Sequence, residues 1–226
     1  RAAGSRGLQR VFVSTPAGSL EEDVVKGLGF CLYARETIYR LASVPEPGGD
    51  LVGFRPQRPQ DSWALQRLYV RNTPRLVQQS EGGLAGNYGG AAGSGPLFSW
   101  WEPDDWQGII WEPAGEVRGA AQVHMGRSGH WLRIWGVSEL AGRELRALIE
   151  QGLGLIWRAR PGGNARSRPV YVSVRDYEFG LSSALTGFGF APYLDRVRFV
   201  KQTVVVARAP VVAIAGAQPG RELRRQ

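Results

Sequence analysis

The sequence predicts an α/β protein: a mixed sheet with an antiparallel meander, one parallel pair of strands, and flanking helices. Three observations predict it. One sentence is written twice, as "KGLGFCLYARETIYR" (Lys26 to Arg40) and "TGFGFAPYLDRVRFV" (Thr186 to Val200), with Gly27/Gly187, Gly29/Gly189, Phe30/Phe190 and Tyr33/Tyr193 in step. Three extended runs with turn residues between them lie between Gly108 and Gly136. A long helical pattern then leads to a short β-branched run, a spacing that suits a crossover between parallel strands.

The elements follow in order. "RVFVS" and "PVYVS" open the two copies as strands. "LEEDVVKGLGF" and "EFGLSSALTGFGF" read as helices closed by glycine. After each Gly-Phe, two more strands are expected, in "CLYARETIYRL" and in "YLDRVRFVKQTVVVAR". Between the copies, "LVGFRP" predicts a strand and "QDSWALQRLYVRN" a helix with Asp61 as N-cap and Ala64, Leu65, Leu68 and Tyr69 on one face. Pro74 ends that helix and can open another, "PRLVQQSE". The stretch from Gly82 to Gly95, rich in glycine and alanine, predicts a mobile loop. "GIIWEP", "VRGAAQVHMG" and "HWLRIWG" form the meander, with Trp111 in the core. Ala141, Leu145, Leu148, Ile149, Gly152, Leu153 and Ile156 then mark one face of a long helix. Three regions are expected: 1–44, the closing half of a first unit; 45–208, a complete unit; and 209–226, a polar, basic tail.

A chain of 226 residues with 43% hydrophobic and 21% charged residues can bury an ordinary core. One cysteine, Cys31, excludes an internal disulfide, and no metal-ligand cluster is evident, so a cytoplasmic protein without a metal is expected. No apolar run approaches the roughly 20 residues of a membrane helix. The net charge of +8 is carried almost wholly by arginine. These arginines are scattered, and the densest stretch, Arg158 to Arg168, has no interleaved aromatics, so nucleic acid is not the expected partner.

The order β-α-α-β-β-β-α-β-α-β-β with "GFGF" after the last helix resembles the GNAT acyltransferases, the Gcn5-related N-acetyltransferases. The match covers Leu51 to about Arg208, and the opening repeat looks like the closing half of an earlier unit. The chain thus resembles a tandem GNAT protein seen from the middle of its first unit. That implies acetyl-CoA or another acyl-CoA as cosubstrate, held where two parallel strands splay, at the N-terminus of the helix between them. Here the implied cofactor-binding residues are Trp135, Val137, Gly142 and Arg143.

The chain departs from the family's pyrophosphate motif, Arg/Gln-x-x-Gly-x-Gly/Ala. Val137 stands at the Arg/Gln position and Leu140 at the first glycine, while Gly142 matches. Glu139 adds a negative charge beside the expected phosphates, and Ser138 is an N-cap candidate. Many family members protonate the leaving thiolate with a tyrosine four residues before the Gly-Phe glycine. Leu185 and Val25 occupy that position here, leaving Tyr177 or Tyr193 as substitutes. His124, His130 and Glu112 are the candidate bases. Trp100, Trp101 and Trp106, within the tryptophan-rich run ending at Trp111, either line an acceptor pocket or cover the sheet.

The expected function is transfer of an acyl group from acyl-CoA to an amine of a small molecule or peptide. The alternative is a non-catalytic GNAT-like support or interaction module of a tandem protein. Pairing with a missing upstream half, or a homo-oligomer, is the expected assembly.

Overall fold

Both copies of the repeated segment close their helix with the same device. Gly29 and Gly189 adopt φ of 77° and 86°, a region that suits glycine. The next amides, of Phe30 and Phe190, donate to the carbonyls of Val25 and Leu185 at 3.3 and 3.2 Å. The first helix starts at Ser19, whose hydroxyl accepts the Glu22 amide at 3.3 Å.

The structure, a computed structural model, describes residues 10–48, 52–81, 106–136, 140, 142–159 and 166–203. Phe12–Lys201 form one compact unit. Arg1–Val11 and Gln202–Gln226 form a second, of which residues 10, 11, 202 and 203 are described. The elements are β1 (Arg10–Pro16), α1 (Leu20–Gly27), β2 (Cys31–Leu41), β3 (Phe54–Pro56), α2 (Ser62–Asn72), α3 (Arg75–Glu81), β4 (Gln107–Trp111), β5 (Gly119–Met125), β6 (His130–Gly136), α4 (Gly142–Arg158), β7 (Val170–Arg175), α5 (Leu181–Thr186) and β8 (Ala191–Gln202). No helix among the described residues is long and apolar enough to cross a membrane.

One sheet holds all eight strands in the order β1-β8-β2-β7-β6-β5-β4-β3. β4 to β6 are the expected antiparallel meander, β3 adds antiparallel to β4 at its edge, and β6 and β7 are the expected parallel pair. β2 lies between β7 and β8, antiparallel to both, so a strand of the first copy sits between two strands of the second.

This insertion is symmetric. Glu36 pairs with Arg196, its own counterpart in the repeat. The β2/β8 register shifts between Leu32 and Ala34 and between Ile38 and Tyr39, leaving Tyr33 and Tyr193, again counterparts, as the bulged residues. Tyr33 meets Phe12 with ring centres 6.1 Å apart, as Tyr193 meets Tyr171 at 5.7 Å. The Ala17 amide donates to Asp195 at 2.9 Å, as Asp176 donates to Arg35 at 3.1 Å. An approximate two-fold axis therefore passes through the sheet at the Glu36–Arg196 pair.

The main core lies between the sheet and α4, where Leu148, Ile149, Leu153 and Ile156 meet Leu132, Ile134, Val170 and Val172. α5 adds Leu181, Ala184 and Leu185 to this core. Gly152 permits the close approach, since a Cβ there would meet Leu132 Cδ1 at 2.6 Å. On the other face, α2 packs Leu65, Leu68 and Tyr69 over Ile110 and Ala120. Trp111 is a partly buried neighbour of the main core, stacked on Phe54.

Two local expectations change. "CLYARETIYRL" is one strand of 11 residues rather than two, because no glycine, proline, asparagine or aspartate interrupts it. In the second copy "YLDRVRFVKQ" lies in β8, and the rest of the stretch read as two strands, after residue 203, is outside the described residues. Asp61 stands before α2 without capping it. Its carboxylate instead accepts the Arg58 amide at 2.7 Å and a two-pronged pair of bonds from Arg55, both at 2.8 Å. The glycine-rich stretch from Gly82 to Gly95 lies outside the described residues.

Glu36 is 4% exposed at the symmetry axis. It is bonded to Arg196, accepts the Ser173 hydroxyl at 2.7 Å and lies 3.3 Å from Arg198. Burial raises its carboxyl pKa, but Arg198, Arg196 and Ser173 outweigh burial and hold it below the usual range. An unfolded glutamate titrates near pH ~4.3. The stability Glu36 contributes is therefore present above that pH and lost as the pH falls through the lower folded value. Glu36→Gln should cost about 3–5 kcal/mol at pH 7, the scale for stranding buried charged partners. Urea midpoints at pH 7 and pH 3 should show that the variant also has a shallower loss of stability on acidification.

Candidate functional site

The parallel ladder of β6 and β7 is short. His130 faces Val170 and Trp131 faces Tyr171, and beyond these pairs the two strands part. The His130 amide donates to the Pro169 carbonyl at 2.8 Å. Since backbone groups alternate along a strand, those of Ile134 and Gly136 point to the same side, into the gap. β7 meanwhile stays paired with β2 along its whole length, from Val170 to Arg175. The result is a wedge open toward the carboxyl ends of both strands, the usual ligand position in sheets with parallel strands.

A pocket of about 130 Å³ occupies this wedge. Trp135 and Gly136 form one wall, Tyr177, Glu178 and Phe179 the other, and Asn72 closes it from α2. The Asn72 side-chain amide donates to the Gly136 carbonyl. Leu140 also lines the pocket and packs against the hydrophobic clusters on both faces of the sheet. A Cβ on Gly136 would run into its side chain.

The polar groups of the pocket are organised from β7. Arg175 donates to the Tyr177 hydroxyl oxygen at 2.6 Å and to Glu81 at 2.7 Å. Glu81 also accepts the Tyr69 hydroxyl at 2.7 Å and lies 3.7 Å from Arg198. Arg198 continues to Glu36, so one charged chain joins the wedge to the symmetry axis. Burial pushes the Tyr177 phenol up to about 12, with Arg175 opposing. Glu178 accepts the Arg175 amide at 2.8 Å; burial raises its carboxyl above the usual range although Arg175 and that hydrogen bond pull it down.

The structure brings Trp135 and Tyr177 together at the pocket. Gly142 and Arg143 are exposed at the start of α4, and Val137, Trp100 and Trp101 lie outside the described residues. His124 pairs with Trp131, whereas Trp135 pairs with Ala120. Four residues along β5 separate them, roughly 13 Å at about 3.3 Å per residue. Trp106 meets His124 at 6.0 Å, and the Arg133 guanidinium lies 4.7 Å from the Trp106 ring and 5.4 Å from Trp135. Glu112 bonds Arg55 beside β3, and His130 is buried on β6 at the closed end of the wedge. Tyr193 is 60% exposed on β8, beneath Arg40.

Glu178 was missed by sequence reasoning. It follows Tyr177 in the turn after a strand, and only the parting of β6 from β7 makes that turn the wall of a pocket. Glu81 was missed because its partner, Arg175, is 94 residues away.

The fold is that of the GNAT acetyltransferases. A GCN5-related N-acetyltransferase from Kribbella flavida superposes with a TM-score of 0.55 and 10% identity, covering 90% of this chain and 72% of that one. A tandem GNAT protein from the clavulanic acid biosynthesis pathway gives 0.52 and 12%, covering 91% and 68%. A functionally unknown conserved protein from Staphylococcus epidermidis gives 0.55 and 12%, covering 90% and 76%. No protein-family model matches the sequence, and no curated protein matches it significantly.

Glu178 yields a signed pH dependence. An unfolded glutamate ionises near pH ~4.3, and the folded carboxyl does so at higher pH. Between the two values the folded chain holds the extra proton, so this group lowers stability as pH rises. Glu178→Gln keeps an acceptor for the Arg175 amide and removes that loss. Chemical unfolding should show the variant gaining stability relative to the parent at pH 7, and gaining less at pH 4.

Proposed function

We propose that the chain is an acyl-CoA-dependent acyltransferase that receives the thioester in the β6/β7 wedge and passes the acyl group to an amine. The observation that carries this reading is the parting of the parallel pair after Trp131 and Tyr171, with Tyr177 on the pocket wall. The backbone edge at Ile134 and Gly136 suits the amides of a pantetheine arm, which can pair with it as an extra strand would. Pockets that enclose whole ligands run to about 300–1,000 Å³. The smaller space beside Leu140 fits the thioester end and a short acyl group, with the remainder of the donor lying along the strand edge.

Attack by the amine nitrogen on the thioester carbonyl forms the amide bond and releases the thiolate. Tyr177 is protonated at neutral pH and supplies the thiolate's proton. Its oxygen already accepts from Arg175, so its own O–H remains available to another acceptor. Glu178, its carboxyl raised by burial, takes the proton that the nitrogen sheds once its bond to the carbonyl carbon has formed, and passes it on to restore Tyr177.

A second reading is a GNAT-like unit that supports or binds another protein without catalysis. Leu140 at the glycine position of the pyrophosphate motif, and Leu185 at the usual tyrosine position, favour it. Ligand-induced thermal shift separates the two. Acetyl-CoA at 100 times its Kd should stabilise the chain by about 2.7 kcal/mol, whereas no shift with acetyl-CoA or longer acyl-CoAs leaves the second reading. If transfer is seen, Tyr177→Phe should slow turnover by about 10²–10⁴-fold while the acetyl-CoA Kd holds. Unchanged turnover would remove Tyr177 from the mechanism.

A further inference from the structure

In the second copy, α4 covers one side of α5. Leu145 of α4 lies 3.8 Å from where a Cβ on Gly180 would stand, and Arg146 Nη1 lies 2.8 Å from the same point on Gly187. The Arg146 guanidinium stacks over Phe188 at 5.0 Å, and Ala184 is buried in the same core. The repeat matches Gly180, Ala184 and Phe188 with Leu20, Val24 and Leu28 of the first copy. These three are 82%, 61% and 58% exposed. Their spacing places them in one apolar stripe along α1. The opposite side of α1 is already used, with Val25 packed on Val197 and Phe199 of β8. Val24 and Leu28 are thus exposed where α4 covers their counterparts Ala184 and Phe188, and Leu20 stands exposed where Leu145 of α4 approaches Gly180.

The neighbouring strand shows the same vacancy. β7 has β2 on one side and β6 on the other, whereas its counterpart β1 is the end strand of the sheet, paired with β8 alone among the described residues. The Ala17 amide points to β8, so alternation along the strand turns the Phe12 and Ser14 amides outward. Their counterparts, Tyr171 and Ser173, lie on the side of β7 that meets β6. An edge strand beside an exposed apolar helix stripe is a surface built to be covered.

We propose that the outer edge of β1, from Phe12 to Pro16, and the stripe Leu20–Val24–Leu28 form the docking surface for a strand–helix unit built like β6–α4. The new strand runs parallel to β1, and its helix lays an apolar face across α1. In the second copy the covering helix, α4, leads directly into β7 by a crossover. The same connectivity assigns the partner to polypeptide joined on the N-terminal side of β1. A second molecule's β6–α4 does not serve, because it is already engaged in its own sheet. The proposal stands on the symmetry of the two copies and is independent of acyl transfer.

The test uses the polypeptide as its own cells make it, recovered through a C-terminal tag, beside the 226-residue chain. The expected intact mass, tag subtracted, exceeds 24.8 kDa. Hydrogen exchange at Phe12 and Ser14 should be at least tenfold slower in the cellular form than in the 226-residue chain. Leu20→Lys with Val24→Lys, two exposed positions, should abolish that difference while leaving exchange across 170–186 unchanged. A cellular form with the same mass and exchange as the 226-residue chain overturns the proposal. So does slowing that survives the two lysines, or slowing that grows with protein concentration, which would mark contact between copies.

Discussion

Glu36 faces Arg196 from the middle of the β2/β8 ladder, buried and flanked by a second arginine and a serine hydroxyl. A strand can slip along its neighbour at little backbone cost, but a slip of one residue turns every side chain to the opposite face. Here such a slip would carry the carboxylate away from its cations and toward the apolar core that holds Leu41 and Val172. An unpaired buried carboxylate costs several kcal/mol, so the register has one low-energy solution. Because Glu36 and Arg196 are counterparts in the repeat, fixing this pair also fixes the symmetry of the strands around it. Each copy then offers its closing strand to the other's opening strand, β2 to β7 and β8 to β1.

The wedge is a consequence of that arrangement. β7 is held along its full length by β2, so it cannot bend to follow β6. β6 is held along its full length by β5 on its other side. Twist accumulates between strands anchored to different neighbours, and after two residue pairs the parallel ladder ends. The charged chain through Arg198, Glu81 and Arg175 then ties the open end to the closed centre. It attaches α3 by its last residue, Glu81, and sets the position of the Tyr177 oxygen. The wedge's polar groups and the sheet's register thereby rest on the same set of guanidinium–carboxylate contacts.

How far the sequence revealed this differs from element to element. The repeat was legible because Gly29 and Gly189 must take a positive φ and Phe30 and Phe190 must fill the space behind them, and both demands leave fixed residue types. The long apolar face of α4 and the meander were legible from period alone. The parallel pair was legible because a helix of 17 residues separates its strands. Glu36 was not legible as a centre, since Glu–Thr in a β-branched run reads as an ordinary solvated position until its strand is placed inside the sheet. Asp61 read as a helix cap because its spacing to α2 is right, but the two-pronged bond from Arg55 is the stronger claim on its carboxylate. The pocket wall of Tyr177 and Glu178 was half legible: the tyrosine drew notice by residue type, while the glutamate depends on which strands part.

The two copies share a backbone plan but differ in what surrounds them. Leu185 of α5 is fully buried in the core beside α4, and its counterpart Val25 of α1 is buried against β8, so both helices keep their inner anchor. On the outer side the sequences diverge in the direction opposite to their surroundings. The positions beside α4 are small or aromatic, with Ala184 buried, Phe188 partly buried and Gly180 exposed, and their counterparts are the exposed aliphatic Leu20, Val24 and Leu28. Helix packing explains Ala184 and Phe188, since alanine lets a neighbouring helix come close and Phe188 offers a ring to Arg146, while Gly180 takes a positive φ of 83° just before α5. Solvent does not explain the aliphatic set, because a solvated helix face gains nothing from three aliphatic side chains at a spacing of four. The polar residues that solvent would favour are present on this same helix, at Glu21, Asp23 and Lys26, where they serve the first and last turns. With Val25 turned to β8, the other apolar residues of this charged segment fall in one line, and that line lies where α4 approaches α5 in the second copy.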